Sequence, residues 1–553
     1  MARHAAVIGR RFEASLVAAL AGLTAQEVDD GLTELTHAGL VYRVDVHASS
    51  ERYEFKHALV QAAAYESLLR RERTLLHARV AQQIESRLPE LAERQPELLA
   101  WHLTESQQWV PAVQCWLLAG QRCLARSANQ EAISHLRAGL ALVPHLPGDV
   151  REGLELALLS TIGPALIATT GFGSLPVGEA YTRARQLCEV MQDRPEFFPS
   201  LWGCWVYHMV SGRLATSRHI AEQMLELGQR TGDPAMLVEA HWTLGNSLFW
   251  LGQLAAADEQ LALTPRYYDR ERDAGNALRY GQDAAVAAEC YRSYTLWALG
   301  CAEQALDAHA RASQLAAQRD HIFTTGWVLA FGFMVRMFRR EARQALSAAE
   351  ATLAFSTEHG HPFWTAAAMV VRGWARARLA QGTDATEFDA GLAQLREGLA
   401  LYEMTGSQVV QTLWYALLAE LELDAGRLSE ARAALDAGFA KAEAVGERLS
   451  EIELWRIQAE WFARQPVPDR AQAQRHFMHA LAMARECGAR SYGLRAATGL
   501  HRLLAHNGDA AALQASPLPA WLAGFSEGDG TPDLQDARAA LAAASRAVHT
   551  TTP

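Results

Sequence analysis

The chain has 553 residues, half of them apolar and 20% charged, a composition that belongs to a folded protein and excludes intrinsic disorder. Its length fits three or four domains or one long repeat array. Fifty-one Lys and Arg against 62 Asp and Glu give a net charge of -11. A surface this acidic repels a phosphate backbone, so nucleic acid is disfavoured as a partner.

Only two lysines occur, Lys56 and Lys441, and neither follows a glycine. A phosphate-cradling loop of the GxxxxGK[ST] kind is therefore excluded, and with it ATP hydrolysis by that route. The seven cysteines are scattered and no two form a CxxC. That pattern reads as reduced thiols in a cytoplasmic protein, most of them in the core, and not as a disulfide framework or zinc site. The N-terminal apolar run stops at Arg10-Arg11, too short for a signal peptide. No run of about 18 uncharged apolar residues is found, so no membrane-spanning helix is expected.

In chain order, a helix is predicted over 12–21, stopped by Gly22, and a second from Thr24 to about His37, with Leu32 and Leu35 on its apolar side. Two strand-like runs follow, Leu40–Val44 and Arg52–Phe55, with the polar stretch His47–Ser50 between them as a hairpin turn. Further helices are expected over 57–69 and 72–87. Helices, a hairpin and another helix suggest a winged-helix module over residues 1–88. The second helix carries Glu27, Asp29, Asp30 and Glu34 and no basic residue, which argues against docking in a DNA groove. Arg70-Arg71-Glu72-Arg73 reads as a solvated helix end or as a contact to an acidic partner.

Beyond about residue 96 the pattern is helical and repeats itself. The clearest unit spans 113–146, with Trp116, Gly120, Cys123, Ala132, Leu136, Gly139 and Pro144 at tetratricopeptide (TPR) offsets. Small residues at these positions let two antiparallel helices approach, and the large ones fill the gap between them. A second unit spans 238–264. A small alanine five residues after a turn glycine recurs as Gly252/Ala257, Gly300/Ala305 and Gly426/Ala431, with Arg340 standing in for glycine before Ala345. Glycine turns at Gly360, Gly406, Gly446 and Gly488 recur every 40 to 46 residues. The expected fold is predominantly all-α. A small winged-helix module precedes a TPR-like α-solenoid, each of whose hairpins buries its apolar face against its neighbours. The expected segments are first hairpins over 89–150, the solenoid over 151–505, and a tail over 506–553 with a capping helix from about Asp533. Two breaks interrupt the rhythm: a loop at 169–176 and a charged insert at 264–283.

No HExxH, GxSxG or dinucleotide fingerprint is present, and His359 and His361 around Gly360 read as a polar turn and not as metal ligands. No enzyme activity, cofactor or metal is therefore expected. The best functional surface is the concave face of the solenoid. In TPR register it receives Trp242, Asn246, Phe249, Trp250, Tyr294, Trp297, Trp327, Met334, Met337 and Phe338, then Arg372 and Arg376. These residues either pack between helices or form an aromatic, methionine-rich groove closed by two arginines. Such a groove would suit a peptide or amphipathic ligand with an acidic end.

Several stretches carry a resemblance: Ala5–Phe12, Phe55–Leu69, Ile162–Phe172, Phe363-Trp364, Arg372–Trp374, and Gly524–Gly528 with Asp533–Asp536. Together they resemble the C-terminal portion of large bacterial signalling ATPases of the STAND/AAA type. In that family a class III adenylate/guanylate cyclase or a kinase domain precedes a P-loop ATPase, and a winged helix and TPR-like repeats follow. The resemblance covers essentially the whole chain. It implies a regulatory role in signal transduction, in which the repeats sense a protein or ligand and control nucleotide-driven switching. Neither the cyclase nor the ATPase has a counterpart here, so no catalytic residue carries over. The alternative is a winged-helix transcription regulator with a TPR-like sensor.

Overall fold

Apolar residues at helical spacing, punctuated by glycine and polar turns, make most of this chain helical. The computed structural model describes residues 1–47, 50–190, 197–319, 321–507 and 510–550. It divides into two units, Met1–Ile162 and Gly163–Pro553.

The first unit opens with a helix that no sequence signal announced, Ala2–Ile8, which buries Ala5, Ala6, Val7 and Ile8. Strand β1 (Arg11–Glu13) occupies the start of the span predicted as helix, and the helix itself is Ala14–Ala21. Tertiary contacts override local propensity here. Phe12 packs on Phe55 at 5.5 Å, and Arg11 meets Glu54 at 2.8 Å. The helix Ala25–His37 starts where expected because Thr24 and Glu27 cap it reciprocally; the Thr24 amide donates to Glu27 at 2.8 Å. Strands β2 (Val41–His47) and β3 (Ser50–Phe55) pair antiparallel, and the sheet order is β1-β3-β2. The expected hairpin turn falls at residues 48 and 49, outside the described residues.

Helices Ala58–Glu66 and Arg70–Arg87 complete the region expected as a separate module. Its core does not stop there. Leu99, Leu103 and Ala112 belong to the same buried cluster as Phe12, Val17 and Phe55. His77 meets His102, on the helix Pro96–Glu105, at 2.8 Å between Nδ1 atoms, and the Tyr65 hydroxyl lies 3.0 Å from His77. Burial pulls the two imidazoles down to about 4 and about 3. The clearest predicted repeat is the helix pair Trp109–Ala125 and Asn129–Leu142. A Cβ on Gly120 would lie 2.4 Å from Leu136, which is the physical reason for a small residue there.

Among the described residues one long helix, Gly148–Thr170, is apolar over most of its length. It is long and apolar enough to cross a membrane by length and composition, with a window of mean hydropathy 1.4, and 56% of that window is buried inside the protein. Glu155 interrupts the run, so a search for uncharged runs passes over it.

In the second unit the helices pair as hairpins. They include Phe197–Val210 with Leu214–Thr231, Pro234–Trp250 with Leu254–Tyr267, and Ala284–Ala298 with Ala302–Ala317. Ile322–Phe338 with Ala342–Glu358 and Pro362–Ala380 with Ala385–Met404 follow. Gln411–Asp424 with Leu428–Val445 and Leu449–Ala463 with Arg470–Cys487 complete the series. Arg490–Asn507 then packs with the terminal helix Pro532–Thr550. The alanines after the turns, Ala257, Ala305, Ala345 and Ala431, are fully buried. Arg340 takes the left-handed conformation (φ 57°) that glycine supplies at Gly252 (φ 74°). The charged insert is ordered: Asp283 meets Tyr268 at 2.7 Å and Arg319 at 2.9 Å.

The hairpins coil until early turns meet late ones. The Gln408 amide donates to the Val210 carbonyl at 2.7 Å. Ser491 donates to the Trp297 carbonyl at 2.6 Å across 194 residues, and the Glu303 amide donates to Glu527 at 2.9 Å across 224. Gly173 and Gly406 touch backbone to backbone. The concave face of the unit is thereby turned inward.

Candidate functional site

The first helix of each hairpin presents its bulky residues to this interior, so rings from successive hairpins stack in series. Trp205 meets Trp242 at 5.1 Å, Tyr294 stacks on Phe331 at 4.4 Å, and Trp297 stacks on Phe338 at 4.8 Å. Trp327 packs on Trp364 at 5.4 Å, and Tyr402, from the second helix of its hairpin, packs on Trp414 at 6.0 Å. Around a small cavity of about 60 Å³ stand Trp242, Trp250, Tyr294, Trp327 and Met334, joined by Trp364, Tyr402 and Trp414. The indole N–H groups of Trp327, Trp364 and Trp414 are buried without a protein acceptor. Glu239 is fully buried nearby; burial raises its carboxyl well above the usual range, while the Trp202 and Trp242 indoles favour the ionised form.

Ten of the twelve residues expected on the concave face are thus brought together in the interior. Trp242, Asn246, Phe249, Trp250, Tyr294, Trp297, Trp327, Met334, Met337 and Phe338 are all buried. Arg372 and Arg376 do not join them. Both lie on Pro362–Ala380 and reach second helices, their own hairpin's and the preceding one's, and they share Gln394 at 2.9 and 3.1 Å. Arg376 also pairs with Glu387 at 2.7 Å, and Arg372 with Glu350 at 3.3 Å.

The arginines that do approach the interior are others. Arg340, Arg378, Arg456 and Arg495 surround a cavity of about 570 Å³. Glu420 is their hub: it meets Arg456 at 2.6 Å and Arg340 at 3.2 Å, and it pairs with Arg378. Asp424 holds Arg378 at 2.6 Å, Glu453 holds Arg456 at 2.7 Å, and Asp533 holds Arg495 at 2.8 Å. Burial alone would raise the Glu420 carboxyl, but the guanidiniums of Arg378, Arg456 and Arg340 outweigh it and hold it well below the carboxylate range. Arg495 also lies over the Trp297 ring at 5.0 Å, joining the charged network to the aromatic stack. The sequence did hold a signal: Arg340, Arg378, Glu420, Arg456 and Arg495 succeed one another at steps of 36 to 42 residues, the spacing of the repeat itself. A reading centred on aromatic residues passes over it.

No metal-ligating group of three or more His, Cys, Asp or Glu occurs among the described residues. What the interior offers is burial of an apolar or aromatic group at one place and fixed guanidinium charge at another.

No family model matches the chain. An uncharacterized protein of Rhizobium meliloti is 24% identical over 472 residues, covering 83% of this chain and 44% of its own length. The chain therefore spans less than half of that relative. Among solved structures, Rap protein complexed with Competence and Sporulation Factor aligns with TM-score 0.50 and 10% identity, over 68% of this chain and 98% of that one. This likeness shows the fold, a TPR-like helical-repeat array. A signal transduction ATPase with numerous domains and a tetratricopeptide repeat sensor, from Pyrococcus horikoshii, aligns over 95% of this chain and 63% of its own at TM-score 0.31 and 11% identity.

Proposed function

We propose that the chain is a non-enzymatic regulatory or scaffold region acting in the bacterial cytoplasm. It binds a protein or small ligand through its TPR-like array and controls a STAND-type ATPase or nucleotide cyclase, in cis or in trans. The observation that carries this reading is the coiled array, whose interior joins an aromatic stack to an arginine network. The STAND/AAA resemblance supplies the partner class, and the greater length of the Rhizobium meliloti relative is consistent with such a region forming part of a longer protein. The order helix, β1, two helices, β2, β3 supports a winged-helix module at the N-terminus.

A transcription regulator is the second reading. It is disfavoured because Glu27, Asp29, Asp30 and Glu34 all stand exposed on the helix that would enter the groove. The test is capture of the native protein from its own cells with an antibody to the repeat unit, followed by mass spectrometry. A P-loop ATPase or cyclase sequence, on the same polypeptide or a stoichiometric partner, is expected. A chain that captures neither, and that shifts duplex DNA in a salt-dependent way, would replace this proposal with the second reading.

A further inference from the structure

We propose that the arginine-lined cavity of the second unit is a binding site for a small organic oxyanion, a molecule bearing a phosphoryl group or clustered carboxylates. On a chain of net charge -11, the wall of this one cavity carries seven arginines against five carboxylates. Its volume of about 570 Å³ is that of a small-molecule site. The inner arginines are committed to the network around Glu420, which fixes their positions but leaves them little capacity for a ligand.

The mouth differs. Arg470 lines the cavity, and no carboxylate pairs with it among the described residues. Arg502 has its nearest carboxylate, Asp536, at 3.8 Å, too long for a hydrogen bond. Arg464, half in solvent, is held by Asp424 at 2.9 Å and Glu460 at 3.3 Å and adds charge but little free donor capacity, and His506 also lines the cavity. Arg470, with no carboxylate partner among the described residues, and Arg502, held only by its loose ion pair with Asp536, thus present planar donor forks of the kind that grip phosphate and carboxylate through paired hydrogen bonds. They extend from consecutive helices, Arg470–Cys487 and Arg490–Asn507, so one anion bridging them would tie these helices together. This site does not depend on the chain being a regulator.

The test uses the full chain and two probes, inorganic pyrophosphate and citrate, titrated by calorimetry at low ionic strength. Saturable binding of at least one is expected, and which one binds separates phosphoryl from carboxylate recognition. The double substitution Arg470→Ala/Arg502→Ala should weaken it by at least about tenfold. Arg218→Ala, which removes an exposed cation elsewhere, should leave it unchanged. Hydrogen exchange on the unmodified protein gives an independent readout, with the bound probe expected to slow exchange in 470–487 and 490–507. Neither probe saturating below about 10 mM, equal binding by the double variant, or protection confined to other helices would each overturn the proposal.

Discussion

Replacing Glu420 by Gln removes one negative charge from the centre of the arginine network without changing its shape. Glu420 is 12% exposed and accepts from Arg340 at 3.2 Å and Arg456 at 2.6 Å, besides its bond to Arg378. Losing one partner of a buried ion pair costs about 3 to 5 kcal/mol when it leaves a charge uncompensated. Here compensation is partial: Arg378 keeps Asp424 at 2.6 Å, and Arg456 keeps Glu460 and Glu453, each at 2.7 Å. The expected loss is therefore at the low end, about 3 kcal/mol. Urea denaturation monitored by circular dichroism reads it as a lower midpoint for the second unit. Glu222→Gln, in an exposed pair with Arg218, should change stability by less than about 0.5 kcal/mol. The pH arm follows from linkage. Because the Glu420 carboxyl is held below its unfolded value of 4.5, its stabilisation is complete above that pH and is lost as pH falls toward the depressed value. The variant should lose less stability than the parent over that acid range. A midpoint shift worth under about 1 kcal/mol, or an unchanged acid limb, would refute the reasoning.

Gly173→Ala should open the contact between early and late turns. A Cβ there would lie 2.6 Å from the Gly406 carbonyl oxygen, which is backbone and cannot turn aside. About 2 kcal/mol of lost stability and faster proteolysis around residues 171–174 are expected. Glu447 is buried, and that burial pushes its carboxyl up to about 7 from an unfolded 4.5. Its contribution is therefore full below pH 4.5 and declines as pH rises toward 7, by on the order of 3 kcal/mol. Glu447→Gln should abolish that decline and be more stable than the parent at pH 8, as read by denaturation at pH 5 and pH 8.

Much of the local architecture was legible in the sequence. The helix start at Thr24 was readable, and the small residues at Gly120 and Gly139 mark helix contacts that the structure contains. Such signals are short-range. The N-terminal helix Ala2–Ile8 lacks them, having no side-chain cap, and exists through the core it enters. Closure of the array was not legible, because it depends on pairs such as Trp297 and Ser491, 194 residues apart. The same distance explains Arg372 and Arg376. Placement on a helix face was readable, but which helix layer they would reach depended on Glu350, Glu387 and Gln394 in neighbouring helices.

The closure of the array over its own aromatic face can be measured directly by hydroxyl-radical footprinting with mass spectrometry, because oxidation of methionine follows its exposure. Met334 and Met337 are 6% and 3% exposed, whereas Met404, on the surface of the same unit, is 82% exposed. Met334 and Met337 should oxidise at least about tenfold more slowly than Met404, and Trp205, Trp242 and Trp250, all buried, should resist modification. Oxidation of Met334 and Met337 at the rate of Met404 would mean an open groove in solution, and would contradict the closed interior described above.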